Sequence, residues 1–207
     1  MAATILAAGQ GSRMGYRPKA TIRIEGLAVL EWQVAALRGA GISDVTVVVG
    51  AYQDQLAPLV ASCGANMVVN ASESPDLVTS QCTALRAHRD RNPGADMVLL
   101  LGDLPLLRSH HLLRLKDAWL ARDDGVHALV PSVAGVRGHP VLLSWKAIQR
   151  MGTEGDTGGV RAWMSRNKAS VKFIALDDPA YVQDLDTPSD IDVVAKLLRA
   201  PQSTTGA

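Results

Sequence analysis

The stretch Thr4-Ile5-Leu6-Ala7-Ala8-Gly9-Gln10-Gly11-Ser12-Arg13-Met14-Gly15-Tyr16-Arg17-Pro18-Lys19 decides how the rest of the chain is read. Residues 4–8 form a short, mostly apolar run, the pattern of a strand covered on both faces. Gly9, Gly11 and Gly15 follow at once. Glycine tolerates a left-handed backbone and lets N–H groups converge on an anion, so a strand running into this loop predicts a phosphate cradle. Arg13, Arg17 and Lys19 concentrate positive charge in the same loop. That suits a triphosphate whose bridging oxygens gain charge during substitution.

Further apolar runs occur at residues 45–49, 67–69, 97–101, 127–130, 141–143 and 171–176. Most are apolar throughout rather than alternating, so helices are expected on both faces of a mainly parallel sheet. Apolar residues recur at helical spacing in 27–40, 112–120 and 191–198. The alternation predicts an α/β fold, a three-layer α/β/α sandwich with a Rossmann-like sheet, in which ligands gather at the carboxyl ends of strands. A chain of 207 residues, 47% hydrophobic and 20% charged, is neither fibrous nor disordered in composition. One domain over residues 1–200 is expected, with a polar, disordered tail at 201–207. Twenty-one Lys and Arg against 20 Asp and Glu leave a net charge of +1, which argues against nucleic acid or an anionic membrane as the main partner. The start of the chain lacks a signal-peptide pattern and no apolar run reaches the ~18 residues of a membrane span. Cys63 and Cys82 do not form a C-x-x-C pair and read as buried thiols, and a cytoplasmic location is expected.

Two familiar glycine loops do not fit. A dinucleotide fingerprint calls for an acidic residue near the end of the second strand, but residues 45–49 lie more than thirty residues on and lead into Gly50-Ala51. A Walker A loop cannot be aligned either, because Lys19 stands four residues after Gly15.

Leu6-Ala7-Ala8-Gly9-x-Gly11-x-Arg13-Met14-Gly15, followed by Pro18-Lys19, resembles the signature of the MobA-like nucleotidyltransferases. Gly102-Asp103-Leu104-Pro105 resembles that family's G-D-x-P, and Arg137-Gly138-His139-Pro140-Val141 its R-G-H-P-V. Gly155-Asp156-Thr157-Gly158-Gly159-Val160-Arg161 is similar to its G-D-x-G-A-R, and Asp184-Leu185-Asp186-Thr187-Pro188-Ser189-Asp190 to its D-I-D-T-P-x-D. The last three blocks are closest to the molybdenum cofactor cytidylyltransferase (MocA) branch. The resemblance implies a GT-A type fold, Mg²⁺ as cofactor, and a nucleoside triphosphate donor. CTP is favoured, because Leu6-Ala7-Ala8-Gly9 stands where GTP users have L-A-G-G. It further implies a phosphorylated acceptor, molybdopterin, with a molybdoenzyme as recipient of the product. Nucleotide contacts are implied for Leu6, Ala7, Ala8, Gly9, Gly11, Ser12, Arg13, Lys19, Asn70, Ser80, Gly102 and Asp103. Among these, Arg13, Lys19 and Asp103 take catalytic roles, while Asp103 and Asp186 hold the metal with Asp184 nearby. Three departures bear on the second substrate more than on the reaction: three residues instead of two separate Gly15 from Lys19, Gly159-Val160 replaces a single Ala, and residues 77–85 lack the usual Gly- and Ser-rich form.

Read on its own, Asp103 is a helix cap at the end of the strand at 96–101. Asp184 and Asp186, read as alternate residues at a strand end, add two oxygens on one face. Mg²⁺ needs few protein ligands when phosphates supply the rest. Asp190 reads as a first-turn partner of the last helix dipole. His139, biased to an extended conformation by Pro140, is a candidate acceptor-site residue or a surface imidazole. Arg137 and Arg161 are candidate forked donors to an acceptor phosphate. Asp156 is a candidate substrate contact or the cap of a helix at 157–166. Asn70 begins a polar loop, 70–74, suited to a base or ribose or simply to solvent. His110 and His111 diverge as consecutive helix residues and read as surface. Trp32, Trp119, Trp145 and Trp163 read mainly as core.

Three functions stay open on this reading: cytidylyl transfer to molybdopterin, the same reaction on another phosphorylated acceptor such as a sugar phosphate, and non-catalytic carriage of molybdenum cofactor. A phosphate nucleophile is already ionised at pH 7, so the lack of a Ser-His or Cys-His pair fits the first two. A nicotinamide-dependent oxidoreductase is disfavoured by the missing ribose-binding acid.

Overall fold

In the computed structural model, which describes residues 1–72, 75–153 and 158–199, the apolar strands owe their lack of alternation to two filled layers. Strand β1 (Ala2–Ala7) sends Ala3 and Ile5 into one core, while Leu6 and the following Ala8 enter the other. Further along, β4 (Val45–Val49) places Val47 and Val49 in the first core and Val48 in the second. The same division splits β6 (Met97–Leu101): Val98 and Leu100 go one way, Met97 and Leu99 the other. Both faces of such a strand must be apolar.

Between these strands the chain forms β2 (Arg23–Ile24), β3 (Leu27–Ala28), α1 (Val29–Gly39), α2 (Gln53–Ser62), β5 (Asn66–Val69) and α3 (Leu77–Arg91). After β6 come α4 (Ser109–Leu120), β7 (Ala128–Val133), β8 (Val136–Arg137), β9 (Val141–Leu143), α5 (Trp145–Thr153), α6 (Gly159–Arg166), β10 (Val171–Leu176) and α7 (Pro188–Arg199). The main sheet has the order β10-β7-β9-β6-β1-β4-β5, with β8 paired to β7. Pairs β1–β4, β1–β6, β4–β5 and β7–β10 are parallel, whereas β9 runs antiparallel between β6 and β7. Helices α1, α2, α4 and α7 contribute to one core and α3, α5 and α6 to the other. This is the expected three-layer α/β/α sandwich. Among the described residues, no helix is long and apolar enough to cross a membrane.

Several local expectations are corrected. The helix expected from residue 27 begins at Val29, because Leu27 and Ala28 pair with Ile24 and Arg23 in a short hairpin. Asp184 and Asp186 are not on a strand: a 3-10 turn, Pro179–Tyr181, precedes them and a loop carries them. His110 is exposed as expected but His111 is buried. The Arg108 backbone N–H donates to His111 Nδ1 at 2.9 Å, which leaves the proton on Nε2 to donate to Asp178 Oδ2 at 3.0 Å. That tautomer has no free lone pair for a metal. Trp119 and Trp163 are core, but Trp32 and Trp145 are half-buried. Cys63 is buried and Cys82 only partly so. Asp156 and the tail at 201–207 lie outside the described residues.

Candidate active site

The site forms at the carboxyl ends of β1 and β6, which are neighbours in parallel register with Leu6 opposite Leu101. Beyond β1 the glycine loop folds back on itself. Gly11 has φ +58°, and a Cβ there would lie 2.1 Å from the Arg17 carbonyl oxygen, so no other residue fits. Its own carbonyl accepts from Met14 N at 2.8 Å and Tyr16 N at 3.0 Å. Tyr52 Oη donates to Gln10 O at 3.1 Å and ties the loop to the start of α2. At Gly9, by contrast, a Cβ would meet no atom within 4 Å, leaving its backbone open to a ligand.

A cavity of about 360 Å³ lies under this loop. Its walls include Leu6, Ala7, Ala8, Gly9, Gly11, Ser12, Arg13 and Lys19 from the first block, Ser80 from α3, Gly102 and Asp103 beyond β6, and Asp186. Residues about 80 to 170 positions apart in sequence thereby meet: Lys19 Nζ donates to Asp103 Oδ2 at 3.1 Å and to Asp186 Oδ1 at 2.7 Å, and Arg13 donates to Asp186 Oδ2. Arg17 lies off this cavity. Sequence reading missed Ala20, Pro75, Asp76, Leu77 and Leu101 in the wall. A signal existed for Asp76, the Asp-x-x-Thr of a helix start: its Oδ1 accepts from Thr79 N at 2.7 Å, and Thr79 Oγ1 accepts from Asp76 N at 2.9 Å.

Electrostatics differ between the two carboxylates. Burial raises the Asp103 pKa, and Lys19 only partly offsets this. At Asp186 the Lys19 hydrogen bond, with help from Arg13 and against a little burial, holds the carboxyl below its ordinary range. Burial works against the Lys19 charge, but Asp186 and Asp103 outweigh it and its pKa is raised. Asp184, half-buried beside the cavity, is raised by burial and by the charges of Asp103 and Asp186. Asp190 Oδ2 accepts from Asp186 N at 2.8 Å and Thr187 N at 2.6 Å, so it braces the Asp186 loop as well as opening α7. Asp103 Oδ1 is buried and has no hydrogen-bond partner among the described residues. A buried carboxylate oxygen left open beside a second carboxylate, in an all-oxygen donor set, fits a hard divalent cation.

Other residues singled out in the sequence are placed elsewhere. Asn70 is buried and is not part of the cavity wall, its Nδ2 donating to Thr79 Oγ1 and to the wall residue Ser80 Oγ, both at 3.1 Å. Its geometry is that of a brace between β5 and α3. Arg137 is exposed, its guanidinium 5.1 Å from the centre of the Phe173 ring, and Arg161 is exposed on α6. Neither lines the cavity. His139 follows Gly138, where a Cβ would lie 2.4 Å from Tyr181 O, and its backbone N–H donates to that oxygen at 2.8 Å. Its Nδ1 is buried without a partner among the described residues, and burial lowers its pKa.

The chain is 34% identical over 149 residues to the Bifunctional protein GlmU of Sorangium cellulosum (strain So ce56), a match covering 69% of this chain and 31% of that protein. It spans between about a quarter and a third of the length of the curated relatives it matches. Its fold is similar to that of Rv0371c from Mycobacterium tuberculosis H37Rv, with TM-score 0.76, 24% identity, and coverage of 94% of this chain and 96% of that one. A second structure of Rv0371c, at TM-score 0.70 and 23% identity, covering 94% and 97%, is a complex with manganese. A nucleotidyl transferase from Methanothermobacter thermautotroptrophicus (Mth528) is equally similar, with TM-score 0.76, 21% identity, and 97% and 98% coverage. The model of the MobA-like NTP transferase domain matches residues 3–171, and the chain belongs to that family.

Proposed function

We propose that the protein transfers a nucleotidyl group from a nucleoside triphosphate to a phosphorylated acceptor, releasing diphosphate, with CTP as donor and molybdopterin as acceptor. The observation that carries the reaction type is the convergence of the glycine loop, Lys19, Arg13, Asp103 and Asp186 on one cavity. Asp103 and Asp186 would hold Mg²⁺, which when bound supplies charge stabilisation across the α-phosphate and the leaving diphosphate. Backbone N–H groups of the glycine loop receive the phosphates, and Gly9 leaves them room to approach. Lys19, paired with both carboxylates, and Arg13, paired with Asp186, both line the cavity and would neutralise charge gained by the leaving group. An acceptor phosphate, already ionised, attacks in line without a protein base. The choice of CTP rests on Ala8, whose methyl occupies space that a glycine would leave to a larger base. Molybdopterin rests on the resemblance of the blocks at 137–141, 155–161 and 184–190. His139 is the acceptor-side candidate of the first, while Arg137, Asp156 and Arg161 are assigned to the acceptor on sequence grounds alone.

The test is diphosphate release with each NTP, with and without purified molybdenum cofactor, and again for Ala8→Gly. Wild type is expected to prefer CTP by roughly tenfold to a hundredfold, since a mispaired buried polar group costs about 1 to 3 kcal/mol. Ala8→Gly should narrow that ratio. Release with a sugar phosphate and not with the cofactor would reassign the acceptor, and release with neither would overturn the reaction.

A further inference from the structure

The inward face of α1 is apolar except at Gln33, which is fully buried. A buried amide in a helix must place its polar atoms, because each unmet one costs about 1–3 kcal/mol. Gln33 Nε2 donates to Leu101 O at 2.7 Å and to Leu104 O at 3.2 Å. These two carbonyls bracket Gly102-Asp103, so a single side-chain amide clasps both ends of the turn that carries Asp103. The amide orientation is fixed by its partners, since the flipped form would set Oε1 against two carbonyl oxygens. Oε1 itself is buried with no partner among the described residues, which leaves the donor end as the anchored one.

The same turn is gripped from two other sides. Gly102 N donates to Leu6 O at 2.8 Å, and Leu185 N donates to Asp103 O at 3.0 Å. Gly102 is pressed so close to β1 that a Cβ would lie 3.0 Å from Leu6 O and 3.1 Å from the Ala7 Cβ. Of these three attachments, only the one to α1 is made by a side chain. It reaches from outside the cavity, since Gln33 is not part of the cavity wall.

We propose that Gln33 is a positioning residue for Asp103: its amide sets the geometry of the Leu101–Leu104 turn and thereby the direction in which the open Asp103 oxygen faces the site. The proposal rests on the reading of Asp103 as a metal ligand. Outer partners that orient a ligand typically change metal affinity by about 10–100-fold when removed. Gln33→Met keeps length and volume but removes the donor, and it leaves Lys19, Asp103 and Asp186 untouched.

The experiment is a Mn²⁺ titration of the protein, alone and with a saturating non-hydrolysable NTP analogue, followed by electron paramagnetic resonance, together with thermal melts and the metal dependence of diphosphate release. It compares wild type, Gln33→Met, Asp103→Asn and the double variant. Gln33→Met is expected to weaken Mn²⁺ binding by about tenfold or more and to raise the half-saturating metal concentration, with the KM for NTP unchanged at saturating metal. In the Asp103→Asn background the same change should cost no further Mn²⁺ affinity. Unchanged Mn²⁺ affinity in folded Gln33→Met, or an equal loss in both backgrounds, overturns the proposal. Should Gln33→Met not fold, Gln33→Asn, which keeps the amide and shortens its reach, is held to the same two results. Wild type that binds Mn²⁺ yet releases no diphosphate with any NTP refutes the proposed function alone, and the binding comparison still decides Gln33. Wild type that binds no Mn²⁺ either alone or with the NTP analogue refutes both.

Discussion

Asp103→Asn should separate stability from activity. In wild type the Asp103 side chain is 18% exposed, and burial raises its pKa despite Lys19 Nζ 3.1 Å away. The carboxylate is therefore an electrostatic burden on the fold, and an isosteric neutral amide removes that burden. The loss of one ion pair opposes this gain, but Lys19 keeps Asp186 at 2.7 Å. The two effects offset to within about 1 kcal/mol, which for a chain of this size is a Tm shift of about 2–4 °C in either direction. Activity has no such compensation. An anionic oxygen that would hold the metal whose charge stabilises the leaving diphosphate is worth about 10²–10³ in rate, or about 3–4 kcal/mol. The assay is diphosphate release under saturating NTP and metal, paired with a thermal melt on the same preparation. Near wild-type release from folded Asp103→Asn would remove the carboxylate from the chemistry. A Tm drop beyond about 8 °C would show instead that its negative charge holds the fold.

Other perturbations give distinct signatures. Arg13→Ala, at an exposed side chain, should cut turnover with no change in Tm, whereas Lys19→Ala, which strips a half-buried cation from two carboxylates, should also lower Tm by about 2–8 °C; equal melts for the two variants would contradict this. Gly9→Ala should leave Tm unchanged and weaken NTP use, while Gly11→Ala, strained at φ +58° and colliding with Arg17 O, should disorder the whole loop; a Gly11→Ala enzyme with normal NTP KM would refute the cradle. His88, His111, His127 and His139 all have pKa values lowered by burial, so the fold binds fewer protons than the unfolded chain just below pH ~6.5. Their stabilisation is complete above that pH and is lost as pH falls toward the folded-state values, so Tm should hold level from pH 7.5 to about 6.5 and decline from there to pH 5; a flat or rising Tm below about pH 6.5 would refute the assignment.

Sequence by itself determined the layers and the first half of the site. Uninterrupted runs such as Val45–Val49 can be satisfied only between two apolar layers, and the Gly9-x-Gly11 spacing announces a tight loop because backbone conformation is a local property. Elements without a clean apolar stripe were harder to see: α2 contains Pro58, and α3 is polar over most of its length. Tertiary structure decided which distant residues share a space. Nothing local distinguishes Asn70, a brace bonded to Ser80, from a base-reading residue, or His111, buried against Asp178, from its exposed neighbour His110. Gln33 carries no motif, yet its reach to Leu101 and Leu104 depends on α1 crossing the end of β6. The pairing of Lys19 with Asp103 and Asp186 likewise exists only because parallel pairing of β1 and β6 brings the two loops side by side, and a backbone hydrogen bond from Leu185 closes the third onto them. Periodicity encodes which face a residue buries; contacts across a sheet depend on strand order, which no short window of sequence contains.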